Sequence, residues 1–79
     1  MEIEVILPKW GMTMQEGTIA NWLVEIGTIV QEGDPLAIVE TEKVETELLS
    51  PGSGTITEII VASGATIEVG VIVAMIESE

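Results

Sequence analysis

Short runs of aliphatic residues, separated by glycine or proline, fill most of this 79-residue chain. Residues 19–24 and 56–61 are β-branched and aliphatic, and they lack the 3.6-residue period of an amphipathic helix. Turn residues between the runs limit each strand to a few positions. The pattern predicts eight strands, at residues 2–7, 18–25, 28–30, 36–41, 44–50, 55–61, 65–68 and 71–77. Eight short strands without a helix predict a single all-β domain over residues 1–79, a flattened barrel or sandwich.

An internal repeat organises these strands. Residues 16–40 align without a gap on residues 53–77 at an offset of 37 positions, and eight of the 25 pairs are identical. The identical pairs are Gly17/Gly54, Thr18/Thr55, Ile19/Ile56, Val24/Val61, Gly27/Gly64, Gly33/Gly70, Ala37/Ala74 and Glu40/Glu77. A repeat in so short a chain predicts one sheet motif used twice, with the two halves related by an approximate two-fold axis.

The repeat also predicts where one hairpin lies. Glu40 corresponds to Glu77, so the turn after Glu40 corresponds to the place where the chain ends. We therefore expect the first and last strands to lie together at one end of the molecule. The turn that contains Lys43 is expected at the opposite end.

This turn has an unusual sequence, ETEKVETE at residues 40–47. If Thr41 pairs with Val44, the two loop residues are Glu42 and Lys43, whereas two-residue hairpins favour Asn-Gly or Asp-Gly. Glu40 would then face Glu45, which is an unfavourable like-charge pair. A local conflict of this kind suggests a function at the tip. The alternative is an ordinary solvated hairpin tip.

Composition excludes several functions. The net charge is −12, with 14 acidic residues against Lys9 and Lys43 and no arginine, so we expect no binding to nucleic acid or to anionic membranes. Protein partners are expected to present a basic face. Cysteine and histidine are absent, which excludes disulfides, thiolate metal sites and histidine acid–base chemistry. The longest apolar run, residues 71–76, is too short to span a bilayer.

Other charged and aromatic residues are predicted to have surface or packing roles. Four glutamates near the tip offer a hard-cation site, but we expect them to divide between both hairpin faces as a solvated collar, without a metal: Glu40, Glu42, Glu45 and Glu47. Lys9 is a second candidate amine and is predicted to be an ordinary surface lysine. Trp22 lies within a predicted strand and is expected to pack in the core.

The chain resembles the lipoyl domain of the acyltransferase component of 2-oxo acid dehydrogenase complexes. The resemblance covers essentially the whole length, through LPKWGMTMQEGTIANWLVEIGTIVQEGDPLAIVETEKVETEL and SPGSGTITEIIVASGATIEVG. Residues 40–44, ETEKV, resemble the lipoylation motif, with Glu42 where aspartate is usual. The opening LPKWGMTM is most similar to pyruvate- and acetoin-type complexes.

The resemblance implies a barrel-sandwich carrier without catalytic residues of its own. Lys43 would bear lipoate as an amide, with Thr41, Glu42 and Val44 recognised by the lipoate-attaching enzyme. The implied partners are that enzyme, a thiamine-diphosphate-dependent dehydrogenase, the acyltransferase core and dihydrolipoamide dehydrogenase. The loop at residues 8–14 would lie near the hairpin and contribute to partner choice through Pro8, Trp10, Gly11 and Met14. Alternatively, Trp10 and the methionines form a small cluster that closes the barrel.

Two other functions remain open. A biotin carboxyl carrier-type domain has a similar duplicated barrel, but its lysine is typically flanked by methionines, whereas Lys43 has Glu42 and Val44. An unmodified acidic interaction module would leave Lys43 paired with neighbouring glutamates. We expect a monomeric domain excised from a longer protein. The acidic residues near Met1 are unlike a signal peptide, and the start at Met1 without a transit peptide favours a bacterial cytoplasm, with a mitochondrial matrix or a plastid as the alternative.

Overall fold

A computed structural model describes residues 1–12, 14–41 and 44–78 of the chain. Within these ranges lie eight strands: β1 (Glu2–Ile6), β2 (Glu16–Trp22), β3 (Ile29–Val30), β4 (Pro35–Glu40), β5 (Glu45–Leu49), β6 (Gly54–Ile59), β7 (Thr66–Glu68) and β8 (Ile72–Glu77). All eight predicted strands are confirmed. Across the described ranges, no helix is long and apolar enough to cross a membrane.

The strands form two four-stranded antiparallel sheets. One sheet has the order β1-β8-β6-β3, and the other has the order β5-β4-β2-β7. Strands β3 and β7 are exchanged, because each pairs with a strand of the other half of the repeat. Neither half can therefore complete its sheet alone. The flattened eight-stranded sandwich predicted from the repeat is confirmed.

Strand register is the same in both halves. Thr18 faces Glu40 across β2 and β4, and Thr55 faces Glu77 across β6 and β8. Each of these pairings also contains a register shift at the same place in the repeat, after Ile19 and after Ile56. Residues that are 37 positions apart are therefore equivalent in their strand pairing as well as in amino-acid type. Equivalent pairing is the structural basis of the sequence repeat.

The repeat extends further than the sequence alignment at a single offset indicates. Strand β1 pairs with β8 as β5 pairs with β4, so that Glu2 corresponds to Glu45 and Val5 to Leu48. Residues 2–8, EIEVILP, correspond to residues 45–51, ETELLSP, at an offset of 43. This match was not predicted from the sequence, because the connection after β1 is longer than the connection after β5. The different spacing hides the similarity from any comparison at one offset.

The core lies between the two sheets and is aliphatic. Its buried residues come in equivalent pairs from the two halves, such as Ile19/Ile56, Leu36/Val73, Ala37/Ala74, Val39/Ile76 and Val5/Leu48. Ser50 is the buried polar residue among those described, and its hydroxyl donates a hydrogen bond to the carbonyl of Gly52 at 2.6 Å. A buried hydroxyl with a partner avoids the cost of an unsatisfied polar group.

Close backbone approach requires glycine at Gly54. A methyl group there would overlap the carbonyl oxygen of Glu77 and would lie 2.8 Å from Ile76 Cγ2. The equivalent Gly17 is also tight, because a methyl group would lie 2.9 Å from Val39 Cγ1. The two glycines therefore let β2 and β6 approach their neighbouring strands closely.

We predict that Gly54→Ala lowers the free energy of unfolding by about 1–3 kcal/mol, because the added methyl group has no space beside β8. Chemical denaturation followed by circular dichroism measures the change. Gly11→Ala is the matched control, since nothing lies within 4 Å of a methyl group at Gly11. Equal stability of the two variants would contradict this account of the strand packing.

Candidate functional site

The hairpin between β4 and β5 is closed by hydrogen bonds between Thr41 and Val44. The amide of Thr41 donates to the carbonyl of Val44 at 2.8 Å, and the amide of Val44 donates to Thr41 Oγ1 at 3.3 Å. The Thr41 hydroxyl also donates to the Val44 carbonyl at 3.0 Å. The predicted pairings of Thr41 with Val44 and of Glu40 with Glu45 are confirmed. Glu42 and Lys43, which join this bonded pair, lie outside the described residues.

The chain ends reproduce the same closing bonds. Ser78 corresponds to Thr41 and Met1 to Val44, and the Ser78 amide donates to the Met1 carbonyl at 2.8 Å. The Ser78 hydroxyl donates to the same carbonyl at 3.1 Å. The Met1 ammonium completes this end with an ion pair to Glu77 at 3.2 Å. The predicted correspondence between the hairpin and the chain ends is therefore confirmed.

The hairpin and the chain ends lie at opposite ends of β1. Glu2, at the start of β1, pairs with Glu77 beside the chain ends. Leu7, just after β1, lies against the start of β2, since a methyl group at Gly17 would be 3.5 Å from Leu7 Cδ2. The adjacent residue Thr18 pairs with Glu40 at the base of the hairpin. A five-residue strand is about 17 Å long, and this length of β1 lies between the chain ends and the base of the hairpin.

A groove of about 860 Å³ lies beside the hairpin, between it and the loop that joins β1 to β2. The hairpin contributes Glu40, Thr41 and Val44, while the loop contributes Trp10 and Met14. Gly11 also lines the groove, whereas Pro8 is half-buried outside its lining. The expectation that the loop lies near the hairpin is met by these shared lining residues.

The two roles predicted for this loop, partner choice and closure of the barrel, apply to different residues. Met14 packs against the core, so it helps to close the sandwich. Its sulfur accepts a hydrogen bond from the Trp10 amide at 3.4 Å. The Trp10 side chain itself is 40% exposed, and Met12 is 94% exposed. Trp10 and Met12 are thus available to a ligand or partner, while Met14 holds the loop in place.

The glutamates near the tip differ from the sequence prediction. Glu40, Glu45 and Glu47 all lie on the outward face, because Glu40 faces Glu45 directly and Glu47 is two positions further along β5. The expectation that these carboxylates divide between both faces is wrong for these three residues, and the fourth, Glu42, lies outside the described residues. Among the residues with described positions, no cluster of three or more acidic side chains is arranged to hold a metal ion.

The remaining candidates occupy ordinary positions. Lys9 is exposed and lines a shallow depression with Trp10, Gly11 and Met12, next to the groove. Trp22 packs against the core, and its indole Nε1 donates to the carbonyl of Val61 at 2.7 Å. The predicted packing role of Trp22 is confirmed.

The loop beside the hairpin is the main difference between the two halves. Leu7 corresponds to Ser50 and Glu16 to Ser53, so eight residues, 8–15, stand where the other half has only 51–52. Six additional residues therefore lie at the hairpin end. This length difference is present in the sequence, but it becomes visible only once β1 is matched to β5.

Comparison with known proteins identifies the family. The biotin/lipoyl family model, described as "Biotin-requiring enzyme", matches residues 3–76. The chain belongs to the biotin/lipoyl attachment family. The lipoyl domain of the 2-oxoglutarate dehydrogenase complex from Azotobacter vinelandii, a solution structure, has a TM-score of 0.76 and 28% identity over 96% of both chains. This structure confirms that the fold is that of a lipoyl domain.

Curated relatives place the lipoyl-type domain within larger proteins. The chain is 42% identical over 92% of its length to the dihydrolipoyllysine-residue acetyltransferase component of pyruvate dehydrogenase complex from Corynebacterium glutamicum. It is 42% identical over 96% of its length to the lipoamide acyltransferase component of branched-chain alpha-keto acid dehydrogenase complex from Bacillus subtilis. The chain spans only 11% and 18% of the length of these relatives. Equal identity to both types leaves the kind of complex open.

We predict that Thr41→Val lowers the free energy of unfolding by about 0.5–1.5 kcal/mol, because the hydroxyl that bonds Val44 is lost while the shape is kept. Hydrogen exchange of the Val44 amide is expected to accelerate, since its acceptor is removed. Thr41→Ser retains the hydroxyl and is the control. Ser78→Ala removes the equivalent bond at the chain ends and is expected to leave Val44 exchange unchanged. Unaltered Val44 exchange in Thr41→Val would contradict the role of this hydroxyl.

Proposed function

We propose that the chain is a swinging-arm carrier in which Lys43 bears lipoate through an amide bond. The observation that supports this proposal is the closure of the hairpin by Thr41 and Val44, with residues 42 and 43 as its two connecting positions. A covalent carrier needs its attachment residue where a modifying enzyme and several later partners can reach it. Val44, next in sequence to Lys43, is 58% exposed. Family membership supplies the expectation that a lysine bears the group.

The residues at this end suit attachment and display, without a catalytic task. The lysine ammonium must lose a proton before its nitrogen can attack an activated acyl group, and we assign that step to the lipoate-attaching enzyme. Lipoate held by Lys43 would supply a disulfide that can be reduced and acylated together by a thiamine-diphosphate-dependent dehydrogenase, and a dithiol that dihydrolipoamide dehydrogenase can reoxidise after the acyl group has left at the acyltransferase core. Thr41 and Val44 keep the ends of the hairpin tip in a fixed register throughout.

The position of the chain ends supports transfer between partners. A flexible tether attached at Met1 or Ser78 would leave the hairpin at the far end of β1. Tethering raises the effective concentration of the arm at each active site without requiring tight binding. The high negative charge keeps the domain soluble and favours partners with basic surfaces.

Biotin attachment is the second candidate, since the family includes both kinds of carrier. The relatives in 2-oxo acid dehydrogenase complexes favour lipoate, as does the absence of methionine on either side of Lys43. An unmodified interaction module is the third candidate, and it predicts no covalent change at all. Intact mass therefore distinguishes the three.

We predict that co-expression with a lipoate ligase adds one lipoyl group, detected by intact-mass spectrometry and located by peptide mapping at Lys43. Lys43→Ala is expected to abolish the mass shift. Lys9→Ala is the matched control, since it removes the chain's other lysine and should retain full modification. A shift that appears only with a biotin ligase, or one that survives in Lys43→Ala, would overturn the assignment.

Modification should also change the charge of the domain. Amide formation removes the positive charge of Lys43, so the formal net charge falls from −12 to −13. We predict later elution from an anion-exchange column for the lipoylated form, with one additional species and no intermediate. Lys43→Gln, which removes the same charge without an acceptor, should elute later than the unmodified chain and remain unshifted by the ligase. More than one additional species would indicate a second acceptor.

A further inference from the structure

We propose that the lipoyl side chain on Lys43 binds in the groove between the hairpin and the β1–β2 loop when no partner enzyme holds it. This binding position is called the seat, and it favours lipoyl groups whose acyl end is uncharged. The inference rests on the proposed function, because it requires the arm to be attached. It adds a substrate preference to that function. Acetyl and other uncharged acyl groups would be retained in the seat, whereas an acyl group that ends in a carboxylate would be kept out.

The root of the arm is next to the groove. Thr41 and Val44 both line it, and they are the residues that bracket positions 42 and 43 in the sequence. Because both sequence neighbours of residues 42 and 43 line the groove, an arm attached at Lys43 has the groove within its reach. Its covalent attachment also supplies a high effective concentration, so a weak contact is enough for substantial occupancy.

One wall of the groove suits an apolar, sulfur-containing group. Trp10 presents a 40% exposed indole, and Val44 presents a 58% exposed aliphatic side chain. Met14 lines the groove between the loop and the core. Sulfur makes favourable contacts with aromatic rings, and a dithiolane would remove some of this apolar surface from water.

The wall is present only at the hairpin end among the described parts of the fold. At the chain-end copy, residues 51–52 take the place of residues 8–15, and Gly52 lies directly against Ile3. A methyl group at Gly52 would be 2.6 Å from Ile3 Cδ1, so the short connection packs closely on β1. The six additional residues thus contribute a groove wall at the hairpin end that the two-residue connection 51–52 is too short to form.

The charge at the acyl end of the arm determines whether the arm is retained in the groove. Glu16 and Glu40 line the groove, and each faces a further glutamate on the adjacent strand, Glu68 and Glu45 respectively. None of the described lining residues is cationic, and Lys9 lines a neighbouring depression that shares Trp10 and Gly11 with the groove. An amide-linked lipoyl group or its acetyl thioester is neutral, while a succinyl thioester carries a carboxylate. Repulsion by the glutamates disfavours the charged end, most strongly at low salt.

The test compares three forms of the intact ¹⁵N-labelled domain by NMR: oxidised lipoyl, S-acetyldihydrolipoyl and S-succinyldihydrolipoyl. We expect nuclear Overhauser contacts from the arm to the Trp10 ring and the Met14 methyl group in the first two forms. The Trp10 indole signal should shift with them, and the Trp22 indole, hydrogen bonded to Val61, should not. In the succinyl form, these contacts should weaken about three- to tenfold at low ionic strength and recover with added salt.

Variants separate charge from shape. The double variant Glu16→Gln, Glu40→Gln should restore the contacts of the succinyl arm, while Glu47→Gln, outside the groove lining, should not. Trp10→Ala should abolish the seat and increase the mobility of the arm in ¹³C relaxation, with Lys43 still lipoylated. If a domain whose mass confirms lipoylation shows no nuclear Overhauser contacts from the arm to Trp10 or Met14, the proposed binding in the groove is wrong, while the proposed function still stands. Equal contacts for acetyl and succinyl forms would overturn the selectivity, and failure to lipoylate Lys43 would overturn the proposed function as well.

Discussion

Exchange of the short strands β3 and β7 is the constraint on which the rest of the fold depends. Each four-stranded sheet takes two strands from β1–β4 and two from β5–β8. The halves are therefore joined by backbone hydrogen bonds as well as by the shared aliphatic core, and neither can bury its apolar face alone. One consequence is that both ends of the molecule are fixed relative to each other, which allows the hairpin to be held away from the chain ends.

Equivalent pairing in the two halves makes the molecule nearly symmetric, and the symmetry fails in two places. At one end the chain continues from Thr41 to Val44, while at the other the same bonds join Ser78 to Met1. The six additional residues of the β1–β2 loop are the second difference. The continuous hairpin and the longer loop lie at the same end, so the proposed attachment residue Lys43 is close in the fold to a groove wall that is distant in sequence.

Much of this arrangement could be predicted from the sequence because it follows from periodic aliphatic runs and from the repeat. The strands and the Thr41–Val44 pair were predictable on that basis. The match between β1 and β5 was not, since a longer loop separates β1 from β2 and changes the offset. The shared face of Glu40, Glu45 and Glu47 was also missed, because register across a hairpin decides it. Groove formation depends on the distance between two loops, which no local pattern contains.

The separation of packing and display within one loop explains how a small domain supports a mobile arm. Met14 is packed against the core and accepts a hydrogen bond from the Trp10 amide, so the loop backbone is anchored while the indole stays exposed. A wall that is anchored in this way loses little conformational entropy when the arm contacts it. Under the proposed function, contacts with the arm would have to remain weak, because each partner enzyme would have to withdraw the arm from the groove. Repulsion by Glu16 and Glu40 would weaken the retention of a charged arm only, so a neutral arm would be held by the apolar wall alone.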